Sequence, residues 1–275
     1  MSSNPEIANS IQTGAFKTNY HDVGEGSPVF MIHGSGPGVT AWANWRLVIP
    51  VLAKKHRVIA PDMAGFGFTE RVEDYNYSME NWVQHAIDLM DALEIEKAHL
   101  VGNSFGGGLA IALAIKHPER VNRLVLMGAA GVDFELTAGL DEVWGYEPSV
   151  ENMRKMMDLF AYDRSLVTDE LAELRYKASI QPGFQESFSK MFPAPRQRWV
   201  EALASDPEDI KNIQHETLMV HGREDVVVPS ITSTKFFELL PNSQLHMFGK
   251  CGHWTQIEQN ARFNKLVLDF FAEAE

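Results

Sequence analysis

The chain has 275 residues, 45% apolar and 22% charged, a balance that excludes a disordered or fibrous chain and suffices for a core without staples. A formal net charge of −13 argues against nucleic acid or an anionic membrane as partner, and a single cysteine excludes an internal disulfide or a cysteine-built metal cluster. The N-terminal stretch has no basic region followed by an apolar one, so no secretory signal is read and a cytoplasmic setting is expected. No apolar run approaches the roughly 18 residues of a membrane span. Residues 17–23 alternate and predict an edge strand. Short apolar runs at 29–32, 57–60, 99–101, 124–127, 217–220 and 244–248 predict buried strands. Helical spacing appears at 82–93, 107–115, 231–240 and 261–271. Strand alternating with helix predicts an α/β fold with a mostly parallel sheet covered on both faces.

One interval breaks the alternation. Between Gly128 and Thr217 no buried strand is legible. Met153, Met156, Met157 and Phe160 recur at helical spacing there, which suits a helix packed on the body or one that faces a substrate. The alternation then resumes, so residues 134–195 are read as an inserted helical lid, with 1–133 and 196–275 forming the core and a helix near 198–204 leading back to it.

The chemistry is concentrated in glycine-rich loops that follow strands. Gly102-Asn103-Ser104-Phe105-Gly106 is a G-x-S-x-G elbow between a strand and a helix, the context in which a serine is presented on a sharp turn. The Phe105 N–H then opens a helix and can meet a developing oxyanion. A serine needs a base and an orienting acid, which in this chain order should follow it as acid and then histidine. Asp225, in His221-Gly222-Arg223-Glu224-Asp225, is favoured over Glu224, read as a solvated loop charge. His253, in Gly249-Lys250-Cys251-Gly252-His253-Trp254, is favoured over His246, which lies within a strand run. Cys251 is assigned packing only, and no H-E-x-x-H pattern supports zinc chemistry. The loop His33-Gly34-Ser35-Gly36-Pro37-Gly38 can supply the second oxyanion donor from the Ser35 backbone, and its spacing fits no phosphate-binding loop.

Taken together, these loops resemble the α/β-hydrolase fold, a mostly parallel eight-stranded sheet flanked by helices. HGSGPGVTAWANWR, APDMAGFGFTER, VGNSFGGGLA, YDRSLVTDELAELRYKASIQPGF and FGKCGHWTQIE further resemble the meta-cleavage product hydrolases, over essentially the whole chain. The resemblance implies cleavage of a carbon–carbon bond in a 2-hydroxy-6-oxo-2,4-dienoate, without metal or cofactor, by Ser104, Asp225 and His253, with Ser35 and Phe105 as oxyanion donors. It also implies Asn44, Asn103, Arg175 and Trp254 as the grip on the dienoate. Residue types alone do not separate Arg175 from Arg154, Arg164, Arg196 or Arg198. Members often carry glycine where Ser35 stands, which bears only on the Ser35 side chain. By resemblance to the family's lid and acid-loop positions, Leu140, Trp144, Val200 and Val227 are expected to wall an apolar pocket for a small C6 group, and a homo-oligomer, a dimer by the same resemblance, is expected. A carboxylesterase on the same triad is the rival activity. A dehalogenase or epoxide hydrolase would require a carboxylate where Ser104 stands.

Overall fold

The structure is a computed structural model that describes residues 4–273; the ends of the chain, including the first three residues of the N-terminal stretch, lie outside it. Eight strands form one sheet: β1 (Asn9–Thr13), β2 (Phe16–Val23), β3 (Pro28–Ile32), β4 (Arg57–Pro61), β5 (Ala98–Asn103), β6 (Val121–Met127), β7 (Thr217–Gly222) and β8 (Ser243–Phe248). Their order is β1-β2-β4-β3-β5-β6-β7-β8. β1 and β2 join antiparallel, as do β2 and β4, and every other pairing is parallel.

One expectation is corrected, and one strand is added to the expected set. The strand at 17–23 is not at the edge, because β1 pairs outside it. β1 itself, Asn-Ser-Ile-Gln-Thr, has no apolar run to announce it, since most of its residues remain exposed.

The strands divide their side chains between two cores, as the two-residue period requires. Val29 and Met31 point with Val101, Val125 and Val220 toward Trp45, Phe263 and Phe271. Phe30 and Ile32 point with Leu100 and Leu126 to the other face, against Leu109, Ile111 and Trp82. The helix Phe105–Lys116 is buried almost all round, from Phe105 to Ala114, which explains its run of glycine, alanine and leucine.

Between β6 and β7 the chain builds helices Ala138–Trp144, Val150–Phe160, Asp169–Ser179, Phe184–Met191, Gln197–Leu203 and Pro207–Lys211. The first three start at Thr137, Ser149 and Thr168, whose side chains accept from backbone N–H groups of the first turn.

Candidate active site

The elbow is forced by packing. Ser104 has φ +54°, a left-handed conformation that a non-glycine residue adopts only where its surroundings impose it. A Cβ on Gly102 would stand 2.2 Å from the Gly106 carbonyl oxygen, and one on Gly106 2.3 Å from that of Ile32. The Ser104 N–H donates to Met127 at 2.9 Å, and its carbonyl accepts from Gly107 at 2.9 Å and Ala130 at 3.0 Å. The serine backbone is therefore tied to strand, helix and the loop after β6, while its side chain lines a cavity of about 240 Å³.

His253 lines the same cavity. Its Nδ1 lies 2.6 Å from Asp225 Oδ2. Asp225 Oδ1 accepts from Val227 N–H at 2.8 Å and Val228 N–H at 3.0 Å. Burial acts to raise the Asp225 pKa, but His253 and His221 outweigh it and hold the carboxyl well below the usual range. The carboxylate is thus ionised and aimed at His253, leaving Nε2 as the ring's free position. His221 adds a support: its Nε2 lies 3.0 Å from the Val228 carbonyl and 3.3 Å from Asp225 Oδ2, and its Nδ1 lies 2.7 Å from Ser233 Oγ. With two acceptors at Nε2, that nitrogen carries the proton and Ser233 donates to Nδ1. Among the described residues, neither Ser104 Oγ nor His253 Nε2 has a hydrogen-bond partner.

The two expected oxyanion loops converge on this cavity. Phe105 is the first helical residue, so its N–H has no carbonyl four residues back within the helix. The loop carrying Ser35 is held from three directions. Gly34 N–H donates to Asn44 Oδ1 at 3.2 Å, His33 Nδ1 lies 2.7 Å from the Gly34 carbonyl, and the Trp144 indole N–H donates to Ser35 Oγ at 3.0 Å. His33 Nε2 accepts from Met63 N–H at 2.9 Å, so Nδ1 carries its proton. Burial pushes the His33 pKa down to about 4. Asp62 braces the start of the next helix, accepting from Ala41 N–H at 2.6 Å.

Asn44, Asn103, Arg175 and Trp254 all line the cavity. Asn103 donates to the Met127 carbonyl at 3.2 Å, and Asn44 Nδ2 is buried with no partner among the described residues. Gln256, absent from the expected set, also lines the cavity; it donates to the Asn44 carbonyl at 3.2 Å, and its buried Oε1 has no partner among the described residues. An unsatisfied donor and acceptor at one wall mark a place for a polar ligand group.

The apolar wall differs from expectation. Leu140 and Val227 are on it, joined by Val143, Met153, Met156, Met157 and Phe160. Trp144 and Val200 are buried but do not line it. The Trp144 indole turns its N–H to Ser35 and stacks on Phe192 with ring centres 4.4 Å apart, and Val200 packs into the main core. The methionine spacing was the signal for the missing wall, since one helix face both packs and borders the cavity. Leu140 and Val227 are brought together because Thr137 donates to the Val227 carbonyl at 2.7 Å.

The rival residues have other work. Glu224 is not simply solvated: it accepts from Cys251 N–H at 3.1 Å and from Arg223, stapling the acid loop to the histidine loop. His246 sits on β8 against Phe248. Burial pushes the Cys251 thiol up to about 12, which leaves it unreactive. The helix Val150–Phe160 meets the histidine loop directly. The Phe160 carbonyl accepts from Trp254 N–H at 3.1 Å, and its ring stacks on His253 and Trp254 with centres 5.7 and 5.5 Å apart. Glu258 accepts from Gly252 N–H at 2.7 Å on that loop and from Asp163 N–H at 2.9 Å beyond that helix.

Comparison with known proteins agrees with this geometry. Residues 27–259 match the family of the alpha/beta hydrolase fold. A 2-hydroxy-6-oxo-2,4-heptadienoate hydrolase of Pseudomonas putida is 64% identical over 269 residues, covering 98% of each chain. A 2-hydroxymuconate semialdehyde hydrolase of a Pseudomonas species is 64% identical over 271 residues, 98% of this chain and 96% of that one. The solved structure of a meta-cleavage product hydrolase from Pseudomonas fluorescens is 68% identical, with a TM-score of 0.98 over 99% of this chain and 100% of that one. The chain belongs to the α/β-hydrolase fold family and, within it, to the meta-cleavage product hydrolases.

Proposed function

We propose that the protein hydrolyses the carbon–carbon bond of 2-hydroxy-6-oxo-2,4-dienoates, the ring-fission products of monocyclic catechols, when the C6 substituent is small. The products are 2-hydroxypenta-2,4-dienoate and a carboxylic acid. Supporting the reading is one observation above all: the cavity that holds Ser104 and His253 also holds two asparagines, a glutamine and two arginines. Ester hydrolysis needs only the serine, its base and the oxyanion donors. The surplus of amides and cations suits an oxygen-rich anion.

In this reading Arg175, Asn44, Asn103 and Trp254 hold the dienoate end. The 2-hydroxyl loses its proton and C5 gains one, giving a ketone whose C5–C6 bond can break. Ser104, or a water that His253 deprotonates, adds to the C6 carbonyl, and the Ser35 and Phe105 N–H groups receive the oxyanion. The C5–C6 bond then breaks, its electron pair passing through the conjugated system to the C2 oxygen. One water is consumed in all, and no cofactor or metal is needed. Residues 134–195 serve as lid to the core of 1–133 and 196–275, and Leu140 and Val227 border the C6 group.

The same reading makes the protein a cytoplasmic homo-oligomer, a dimer in its simplest form. The unpaired edge of β8, where Met247 is 37% exposed, supports an association face. Sedimentation at several concentrations would measure it.

The decisive assay follows the visible absorbance of the dienolate. It should fade with fission products carrying hydrogen or methyl at C6. Hydrolysis of simple esters with an unchanged dienolate would instead establish a carboxylesterase.

A further inference from the structure

We propose that Arg46 is a specificity-determining cation of this pocket: it supplies the uncompensated positive charge that selects a ligand with a free carboxylate, whereas Arg175 acts as an oriented donor already neutralised by Glu6. The proposal rests on the dienoate reading above and deepens it.

Both arginines line the cavity. Their electrostatic situations differ. Arg175 Nη1 donates to Glu6 Oε1 at 3.0 Å, with both side chains only 17% exposed, and Nη2 donates to the Gly38 carbonyl. A carboxylate so placed orients the guanidinium and cancels its charge. Arg46 follows the helix Ala41–Trp45 and donates from Nη1 to the Ala43 carbonyl at 2.9 Å. Among the described residues no carboxylate lies within ion-pair reach of it. Glu6, whose charge it feels, is committed to Arg175.

Burial lowers the Arg46 pKa, Arg175 lowers it further, and Glu6 acts against both. A guanidinium nonetheless keeps its proton at neutral pH. The outcome is a partly buried cation without a counter-ion beside unpartnered amide atoms of Asn44 and Gln256. Such a charge is costly until an anion arrives. A planar guanidinium with free N–H groups is matched to a carboxylate. Supporting the C-terminus of its own helix would occupy the same residue, but that contribution would be identical for every ligand.

The test compares ligands that differ only in charge. The dissociation constants of a dienoate and of its methyl ester are measured on the Ser104→Ala protein, where turnover is blocked, and then with Arg46→Gln, Arg46→Lys or Glu6→Gln added. Arg46→Gln should weaken the acid by about ten- to a hundredfold, the range for a lost charged hydrogen bond, and leave the ester unchanged. Arg46→Lys should recover most of that loss. Glu6→Gln, which frees the Arg175 charge without touching the helix, should tighten the acid severalfold and not the ester. In the otherwise native enzyme, Arg46→Gln should raise KM with little change in kcat and flatten the rise of KM with ionic strength. Equal weakening of acid and ester, or no weakening of either, would overturn the proposal and leave Arg46 a helix-end residue. Failure of the Ser104→Ala protein to bind any dienoate would overturn the functional reading itself, a result separable because it precedes any change at Arg46.

Discussion

In the proposed mechanism Ser104, His253 and Asp225 act with decreasing directness. Ser104→Ala should lower turnover of the dienoate by on the order of 10⁴-fold or more while a bound dienoate still gives its absorbance signal. His253→Ala should be nearly as damaging. Asp225→Asn should cost less, because the ring stays in place while its tautomer and charge support are spoiled. Glu224→Gln should reduce stability more than turnover, since its oxygens hold the Cys251 N–H and Arg223 rather than the base. Stopped-flow turnover beside a urea titration separates the two effects. A larger kinetic loss for Glu224→Gln than for Asp225→Asn would reverse the assignment of the acid. These three residues were legible in the sequence because each lies in a short glycine-containing loop immediately after a strand. Arg46 and Gln256 were not. Both lie in stretches that carry the family resemblance, but nothing in residue type or spacing singles them out, and each becomes a cavity residue only when the segment after β3 folds over the segment after β8.

At the scale of elements, the elbow and the apolar wall behave differently under substitution. A Cβ at Gly106 would meet backbone oxygen at 2.3 Å, and neither strand nor helix can withdraw. Gly106→Ala should therefore give little folded protein, read from soluble yield and circular dichroism. The wall is softer. Leu140 comes from the helix Ala138–Trp144 and Val227 from the loop after β7, and the methionines beside them are adaptable. One methylene there is worth roughly 1–3 kcal/mol, so the pocket grades small C6 groups without absolute discrimination. Phenyl turnover should be poor, and Leu140→Ala or Val227→Ala should raise it relative to methyl, measured as a ratio of kcat/KM. Equal kcat/KM for phenyl and methyl in the native enzyme would defeat the small-pocket reading. Trp144 was expected on this wall by resemblance to the family's lid positions. The destination of its indole N–H is a property of the folded loop. β1 escaped notice for a related reason: a strand with exposed side chains has its identity from pairing, here with β2, rather than from an apolar run.

For the whole molecule, buried histidines set the response to acid. Burial pushes His33 and His85 down to about 4 from the usual 6.5, so between those values the unfolded chain binds more protons than the folded one. Their contribution is complete above pH 6.5 and is lost as pH falls through 4, on the order of 3 kcal/mol for each. His99 acts in the same direction. Asp62, pushed up to about 6 mainly by burial, works oppositely: its protonation favours the folded state as pH falls from 6 toward 3.8. Three histidines outweigh one carboxyl, so the urea midpoint should drop steeply between pH 6.5 and 4; a flat profile there would contradict this account. The segment affected adjoins the site, because His33 and His85 accept from the N–H groups of Met63 and Ala64.

The contact between Phe160 and the histidine loop has a consequence for any attempt to strip the enzyme down. A smaller catalyst made by cutting out the helices between β6 and β7 would lose more than a cover. The aromatic ceiling over His253, the carbonyl that anchors Trp254 and one of the two amides clasped by Glu258 would leave together. In the proposed mechanism His253 is the base, and these helices hold it in addition to Asp225. A shortened chain would keep Ser104 on its rigid elbow and Asp225 in place, with the imidazole less firmly held between them. Turnover of the dienoate should therefore fall in such a chain, and no cleavage of simple esters should replace it.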